Sequence, residues 1–129
     1  MWDGWLGADA GETTGDCFEE GIIKTYLYTK DNEIRPFTIS GLVNDAVYDI
    51  EILCSRSSAA PSDRGAAFMI NGIADSINAK GNTCNLVKLY DLETKNNTLV
   101  IDYRKRIEDY NGHVNAIIIS SRPKPVDKV

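Results

Sequence analysis

Apolar residues recur at every second position in two runs of the segment from Phe37 to Arg56, FTISGLVNDAVYDIEILCSR. The alternation is present in FTI at its start and in YDIEILC near its end. A period of two puts apolar side chains on one face of a β-strand and polar ones on the other. Between the two runs lie glycine, asparagine and aspartate, which favour turns. The segment therefore predicts two strands joined by a short polar turn, each with one face in a core and one in solvent.

The rest of the chain repeats this pattern in short runs. The run IIKTYLYT at 22–29 is β-branched and aromatic, which favours a strand. Asn71-Gly72 separates two more short strands and favours a tight hairpin, since both residues accept positive φ. Further strands are predicted at 86–91, 99–103 and 114–120. The isoleucine run in the last of them indicates burial on both faces.

These short strands, separated by turn signals and accompanied by no helix of useful length, predict an all-β fold. We expect an antiparallel β-sandwich that is jelly-roll-like. A chain of 129 residues suits a single domain. The predicted organisation is an arm or loop at 1–15, the sandwich at 16–121 and a tail or linker at 122–129.

Charge and hydropathy exclude several classes of partner. The net charge is -5 and the isoelectric point is near 4.8, which repels nucleic acid and anionic membrane surfaces. The chain has no apolar run of the roughly 20 residues that span a bilayer. It also lacks a basic segment followed by an apolar one at its start, so no secretory signal is expected in this chain.

The three cysteines, Cys17, Cys54 and Cys84, are an odd number at wide spacing. They form no full disulfide framework and no Cys-x-x-Cys metal motif. Cys54 falls on the apolar face of its strand and is expected to be a small buried hydrophobe. A bridge between Cys17 and Cys84 stays open, but reduced thiols are the expectation.

Catalytic groups are sparse in the sequence. A nucleophile with a histidine base would have to use His113, the single histidine, and no Gly-x-Ser-x-Gly elbow accompanies a serine. Asp49 and Glu51 lie on the predicted wet face of their strand, where carboxylates serve solubility. Calcium in an aspartate-rich loop stays open. We therefore expect no enzyme activity, no cofactor and no metal site.

Binding is the better expectation, because several donors and rings fall at strand ends or in loops that would gather at one rim. Guanidinium and amide groups hold sugar hydroxyls, and aromatic rings stack on their C–H faces. The candidate ligand-binding residues are Arg56, Arg64, Asn82, Tyr110, His113 and Asn115. In the alternative interpretation, Arg56 and Arg64 tie loops together and Asn115 satisfies a neighbouring backbone group.

Both tryptophans, Trp2 and Trp5, lie in the predicted arm. Two rings this close together either stack on a sugar or anchor the arm, to its own domain or to a neighbouring chain. We favour anchoring and take both as candidate partner contacts.

Several of these positions also follow the pattern of a known group of modules. In that pattern a strand ends in Ser-Arg, a second arginine precedes the strand that enters the hairpin, an asparagine follows in the next loop, and the last strand begins Leu-Asn-Ala. Here the positions are Ser55, Arg56, Arg64, Asn82 and Asn115. Over about residues 16–121 the chain thus resembles β-sandwich modules found beside carbohydrate-active and lipase-like hydrolases of gut bacteria and in phage virion proteins.

The resemblance implies two functions of different classes. One is a non-catalytic structural or assembly module with a carbohydrate-binding-like fold, as in a virion capsid, head fibre or tail, with other protein chains as partners or as copies in a homo-oligomer. The other is a carbohydrate-binding accessory module of a secreted or surface bacterial glycan-degrading protein. The expected locations are the virion, the extracellular space or the cell surface.

The chain departs from this pattern at two places. Such modules usually begin with one or two further strands, so either the opening MWDGWLGADAGETTG substitutes for them or a neighbouring chain or preceding domain completes the sheet. His113 stands where the pattern more often has an apolar residue or tyrosine. The assembly function is the one that we expect first.

Overall fold

The computed structural model of the chain describes residues 5–9, 11, 15–106 and 108–125. Within these ranges it has ten strands and one short helix. They are β1 (Leu6–Ala8), α1 (Glu20–Lys24), β2 (Tyr26–Thr29), β3 (Arg35–Ile39), β4 (Ala46–Leu53), β5 (Gly65–Ile70), β6 (Ile73–Asn78), β7 (Leu86–Glu93), β8 (Leu99–Lys105), β9 (Gly112–Val114) and β10 (Ala116–Pro123). All ladders between these strands are antiparallel. The predicted antiparallel all-β class is confirmed.

The described strands form three sheets around one core. A three-stranded sheet has the order β10-β4-β7, a four-stranded sheet has the order β3-β8-β5-β6, and a small sheet has the order β1-β2-β9. The chain crosses repeatedly between the first two sheets, because β4 and β7 belong to one while β3, β5, β6 and β8 belong to the other. Two packed sheets joined in this way form a β-sandwich with jelly-roll-like connectivity.

The two strands of the opening pattern are present, but they do not form a hairpin with each other. β3 pairs with β8, whereas β4 pairs with β7 and β10. The connection at 40–45 instead carries the chain from one sheet to the other. It is held by the Tyr48 hydroxyl, which accepts a hydrogen bond from the backbone N–H of Val43 at 3.0 Å, and by the Leu42 N–H, which donates to the Asn97 carbonyl at 3.1 Å.

The hairpin predicted at Asn71-Gly72 is confirmed. β5 and β6 pair up to Ile70 and Ile73 on either side of the turn. The two turn residues have φ values of 51° and 79°, a region that asparagine and glycine tolerate better than other residues. Local turn chemistry therefore sets the register of this pair.

The strand predicted at 22–29 is correct only in its second half. The first half belongs to the helical turn α1, in which the N–H groups of Ile22 and Ile23 both donate to the Glu19 carbonyl. It buries Ile23 completely while leaving Ile22 exposed. The helical turn therefore buries Ile23 and leaves Ile22 at the surface before β2 begins.

The core lies between the two large sheets and is filled from alternate strand positions. Ile50 and Ile52 of β4 have no exposed surface, and neither do Ile101 and Tyr103 of β8. Burying an aliphatic or aromatic side chain of this size contributes about 1.5–3 kcal/mol. The other large contributors include Phe37, Tyr48, Phe68, Val87, Leu89, Leu92 and Leu99.

β10 is an edge strand, so the predicted burial of its isoleucine run on both faces is wrong. It pairs with β4 over its whole length, and no described strand pairs with its other side. Ile117 is half-buried against the core, while Ile119 is 42% exposed. The position of the strand in its sheet explains the difference, because an edge strand receives cover from one neighbour only.

Cys17 and Cys84 form a disulfide with Cα atoms 5.4 Å apart, so the expectation of reduced thiols is wrong. Their wide separation in sequence is bridged because the segment before α1 packs beside the loop before β7. Cys54 is a free, buried thiol, as predicted. Burial raises its pKa far above the ordinary value.

Candidate functional site

Backbone hydrogen bonds join the loops that carry the predicted ligand-binding residues. The Arg56 N–H donates to Ala79 O and the Gly81 N–H donates to Arg56 O, both at 2.8 Å. The Ala79 N–H in turn donates to Arg64 O at 2.8 Å. We call residues 54–64, 79–85 and 108–115 the loop rim. The backbone bonds place the loops that carry Arg56 and Arg64 beside the loop that begins at Ala79.

The side chain of Asn82 links Cys54 and Asn85 within the loop rim. Its Nδ2 donates to Cys54 O at 2.9 Å and to Asn85 O at 2.8 Å, and its Oδ1 accepts from the Asn85 N–H at 2.9 Å. The residue is buried. All three hydrogen bonds of its amide are made to backbone groups of the protein, so Asn82 is not available to a ligand.

Asn115 has the same role between β4 and α1. Its Oδ1 accepts from the Ser55 N–H at 2.7 Å, and its Nδ2 donates to the carbonyls of Ile22 and Ile23 at 3.2 and 3.1 Å. The alternative interpretation, in which Asn115 satisfies neighbouring backbone groups, describes this geometry.

His113 lies on β9 with no exposed surface. Its ring centroid is 4.1 Å from that of Tyr26 and 5.9 Å from that of Tyr28. Neither ring nitrogen has a hydrogen-bond partner among the described residues. Burial first, and then the positive charges of Arg56 and Arg64, lower its pKa to about 3. His113 is thus a neutral core residue whose ring packs against two tyrosines.

Arg64 is buried and holds the loop before β5. Its Nη1 donates to Ser62 O at 2.7 Å, to Ser62 Oγ at 2.5 Å and to Asp63 O at 3.2 Å. Its guanidinium carbon lies 4.8 Å from the centroid of the Tyr110 ring, within cation–π range. Arg64 therefore ties its own loop and supports the aromatic side chain of another. The half-buried Arg56 joins the rim through the backbone bonds described above.

Tyr110 is the exposed member of the predicted set, with 64% of its surface accessible. It lines an open cleft of about 470 Å³. We call this the Tyr110 cleft; it is formed by Lys30, Ser62, Lys105, Glu108, Asp109, Tyr110 and Asn111. The Oδ1 atom of Asn111 is buried and has no partner among the described residues. Sequence reasoning identified the exposed ring of this cleft and missed Asn111, which also lines it.

Trp5 packs into the core of its own chain. It is 4% exposed, and its ring centroid lies 4.3 Å from that of Tyr103. It anchors the opening segment to its own domain and offers no surface to a partner, which corrects its assignment as a partner contact. Trp2 lies outside the described residues.

The second candidate surface is the exposed side of β10, and sequence reasoning missed it. We call Ala116–Ser121 the β10 edge. It has the sequence AIIISS, which is uncharged and contains no proline. Its ladder partners on one side are residues 48–53 of β4, and the backbone groups that point the other way meet no described strand. The available signal was the uncharged β-branched run itself, from which the sequence analysis predicts burial on both faces.

No group of three or more His, Cys, Asp or Glu residues in the described part of the chain is placed to hold a metal ion. None of the described helices has the length and apolar character needed to cross a membrane.

Comparison with known proteins gives no further guide. No protein-family model matches the chain, and neither a curated protein nor a solved structure does.

Proposed function

We propose that the protein is a non-catalytic assembly module that joins protein chains by accepting a strand at the β10 edge. The observation that carries the proposal is an eight-residue strand that pairs on one side only among the described strands and whose first six residues are uncharged. Unpaired N–H and C=O groups on an edge strand are a template for another extended segment.

The β10 edge lacks the residues and bulges that usually protect an edge strand, which supports the proposal. Soluble proteins protect edge strands with lysines, prolines, bulges or short length. The ladder between β10 and β4 runs without a register shift from Ala116 to Pro123. The first charged residue of the strand is Arg122, and the first proline is Pro123. An edge without protective residues favours pairing with another chain.

We propose a multi-copy particle such as a phage virion as the setting, in keeping with the resemblance of the sequence to virion modules. In such a particle each copy meets a neighbour in a fixed geometry. Main-chain pairing then supplies affinity, and alternate side chains supply specificity.

The test is a photo-crosslinking amino acid placed at position 118, in the full chain produced together with the proteins encoded beside it. A matched variant carries the same group at Val100, which is 48% exposed on β8, an interior strand of its sheet. We expect the position-118 variant to crosslink to one defined segment of a protein chain, mapped by mass spectrometry. Crosslinking no stronger than in the Val100 variant would contradict the assembly function.

A second candidate function, glycan binding, is favoured by the Tyr110 cleft. The exposed ring of Tyr110 offers a face for a sugar ring, and the polar side chains of Lys30 and Glu108 line the same cleft. Its test is retention on a glycan array. Tyr110→Ala should abolish a signal that Tyr90→Ala keeps, since Tyr90 is a 40% exposed tyrosine on β7, outside the cleft. An array without signal for the unmodified chain removes this candidate and leaves the assembly function standing.

A further inference from the structure

We infer that the occupant of the β10 edge is a second copy of this chain, bound antiparallel about a two-fold axis that passes midway between the two copies of Ile118. The inference rests on the proposed assembly function and names its partner. In this arrangement two three-stranded sheets join into one sheet of the order β7-β4-β10-β10-β4-β7. Such a contact is isologous, because each copy offers the same surface.

Side-chain matching fixes the register. With Ile118 opposite its own copy, Ile117 of each chain lies opposite Ile119 of the other. Ala116 then lies opposite Ser120, and Asn115 opposite Ser121. No shift of this register brings more isoleucines opposite one another. Cross-strand pairs of β-branched residues stabilise a sheet by about 0.2–1 kcal/mol each.

In the same arrangement, the core faces of the two β10 strands lie on the same side of the joined sheet. Ile117 and Ile119 lie opposite the buried Ile52 and Ile50 of β4, so they belong to the core face of β10. A two-fold axis perpendicular to the sheet keeps core face beside core face. The partner's isoleucines would therefore cover the exposed part of Ile119, which β4 leaves uncovered.

Charge also favours a second copy, although each chain carries a net charge of -5. The paired segment is uncharged from Asn115 to Ser121. The charges at its end are already paired within each chain, because Arg122 contacts Asp49 and Asp91, and Lys124 contacts Glu93 at 3.0 Å. No like charges are brought opposite one another in this register.

The first experiment is sedimentation of the full chain over a range of concentrations. We expect a monomer–dimer equilibrium. Ile118→Lys should weaken the association about tenfold or more, because it places two ammonium groups opposite each other. The folded monomer should survive, since position 118 lies next to Glu51 on the outer face of the sheet. Val100→Lys, on an interior strand, should leave the equilibrium unchanged.

A mixture provides the charge-reversal test. Ile118→Lys and Ile118→Glu chains should each dimerise poorly alone and recover association when they are combined, which general aggregation would not do. A chain that stays monomeric at every concentration overturns the second-copy inference, and so does a mixture that fails to recover association.

The second experiment tests the register by oxidative crosslinking. Ile118→Cys should form a disulfide between copies, because residues opposite each other have Cβ atoms about 4.5–5.5 Å apart. Ser121→Cys should not, because its two copies would lie about 20 Å apart along the strands at 3.3 Å per residue. Crosslinking at position 121 without crosslinking at 118 overturns this register. A monomer whose position 118 still crosslinks to a different protein overturns the second copy and leaves the proposed assembly function in place.

Discussion

The guanidinium of Arg64 lies 4.8 Å from the centroid of the Tyr110 ring and couples the loop before β5 to the loop after β8. The arginine is buried while the ring is 64% exposed. The three hydrogen bonds from Nη1 to Ser62 and Asp63 hold the guanidinium in its loop. The exposed ring therefore rests on a fixed support, and its position depends on a residue that a ligand would not contact.

Arg64→Lys should destabilise the protein by about 1–2 kcal/mol. A lysine ammonium is a point donor and does not reproduce the planar guanidinium that both donates to the loop and stacks on the ring. The measurement is urea unfolding at neutral pH. Arg104→Lys, on a half-buried position of β8, should change the free energy of unfolding by less than about 0.5 kcal/mol. Equal effects of the two substitutions would show that the Arg64 contacts add nothing.

The Cys17–Cys84 disulfide should stabilise the native state by about 2–4 kcal/mol. It closes a loop across a sequence separation of 67 and so restricts the unfolded chain. Reduction with dithiothreitol should lower the urea midpoint by a corresponding amount. The Cys17→Ser, Cys84→Ser double variant should start at the lower midpoint and be insensitive to the reductant. An unchanged midpoint on reduction would be evidence against the bridge.

The positions of most strands could be predicted because burial of alternate side chains is a local property of a strand. The partner of each strand could not. β3 and β4 show the same alternation, yet they lie in different sheets, since both layers of a sandwich bury one face of every strand. The hairpin of β5 and β6 is the exception, because the positive φ values at Asn71 and Gly72 are a local requirement.

The loop rim was predictable in part, whereas the β10 edge was not. Arginine and asparagine residues at strand ends do gather at the loop rim. Which of their atoms remain available depends on partners distant in sequence, such as Ser55, whose N–H donates to Asn115 Oδ1 at 2.7 Å. The isoleucine run of β10 has the composition of a central strand, and only the order of the sheet shows that it is an edge.

His113 should make the protein sensitive to acid. Its folded-state pKa is lowered from an ordinary value of 6.5 to about 3 by burial and by the nearby charges of Arg56 and Arg64. Below pH 6.5 the imidazole takes up a proton in the unfolded chain, whereas in the folded chain it stays neutral down to about pH 3. The free energy of unfolding therefore decreases as the pH falls toward 3. The loss approaches about 1.4 kcal/mol per pH unit.

Two measurements check this dependence. His113→Phe should show a smaller loss of unfolding free energy than the parent chain between pH 6 and pH 4. In the unmodified chain, the proton resonance of the single imidazole should not titrate between pH 7 and pH 4.5 while the protein stays folded. A midpoint near 6.5 in that titration would contradict the buried, neutral state.

Gly112→Ala should destabilise the fold by about 1–3 kcal/mol through overpacking. A Cβ atom at this position of β9 would overlap the Tyr103 hydroxyl and lie 2.8 Å from Lys105 Cβ. The hydroxyl cannot move away, because Tyr103 is fully buried and shares a 2.7 Å hydrogen bond with Thr29 Oγ1.

Gly21→Ala is the matched comparison, since nothing lies within 4 Å of its added Cβ and the site is in α1. It should raise the thermal midpoint slightly, as alanine favours a helix by about 0.5–1 kcal/mol. If both glycines tolerated alanine equally, the close approach of β9 to β8 would not be a constraint on the native packing.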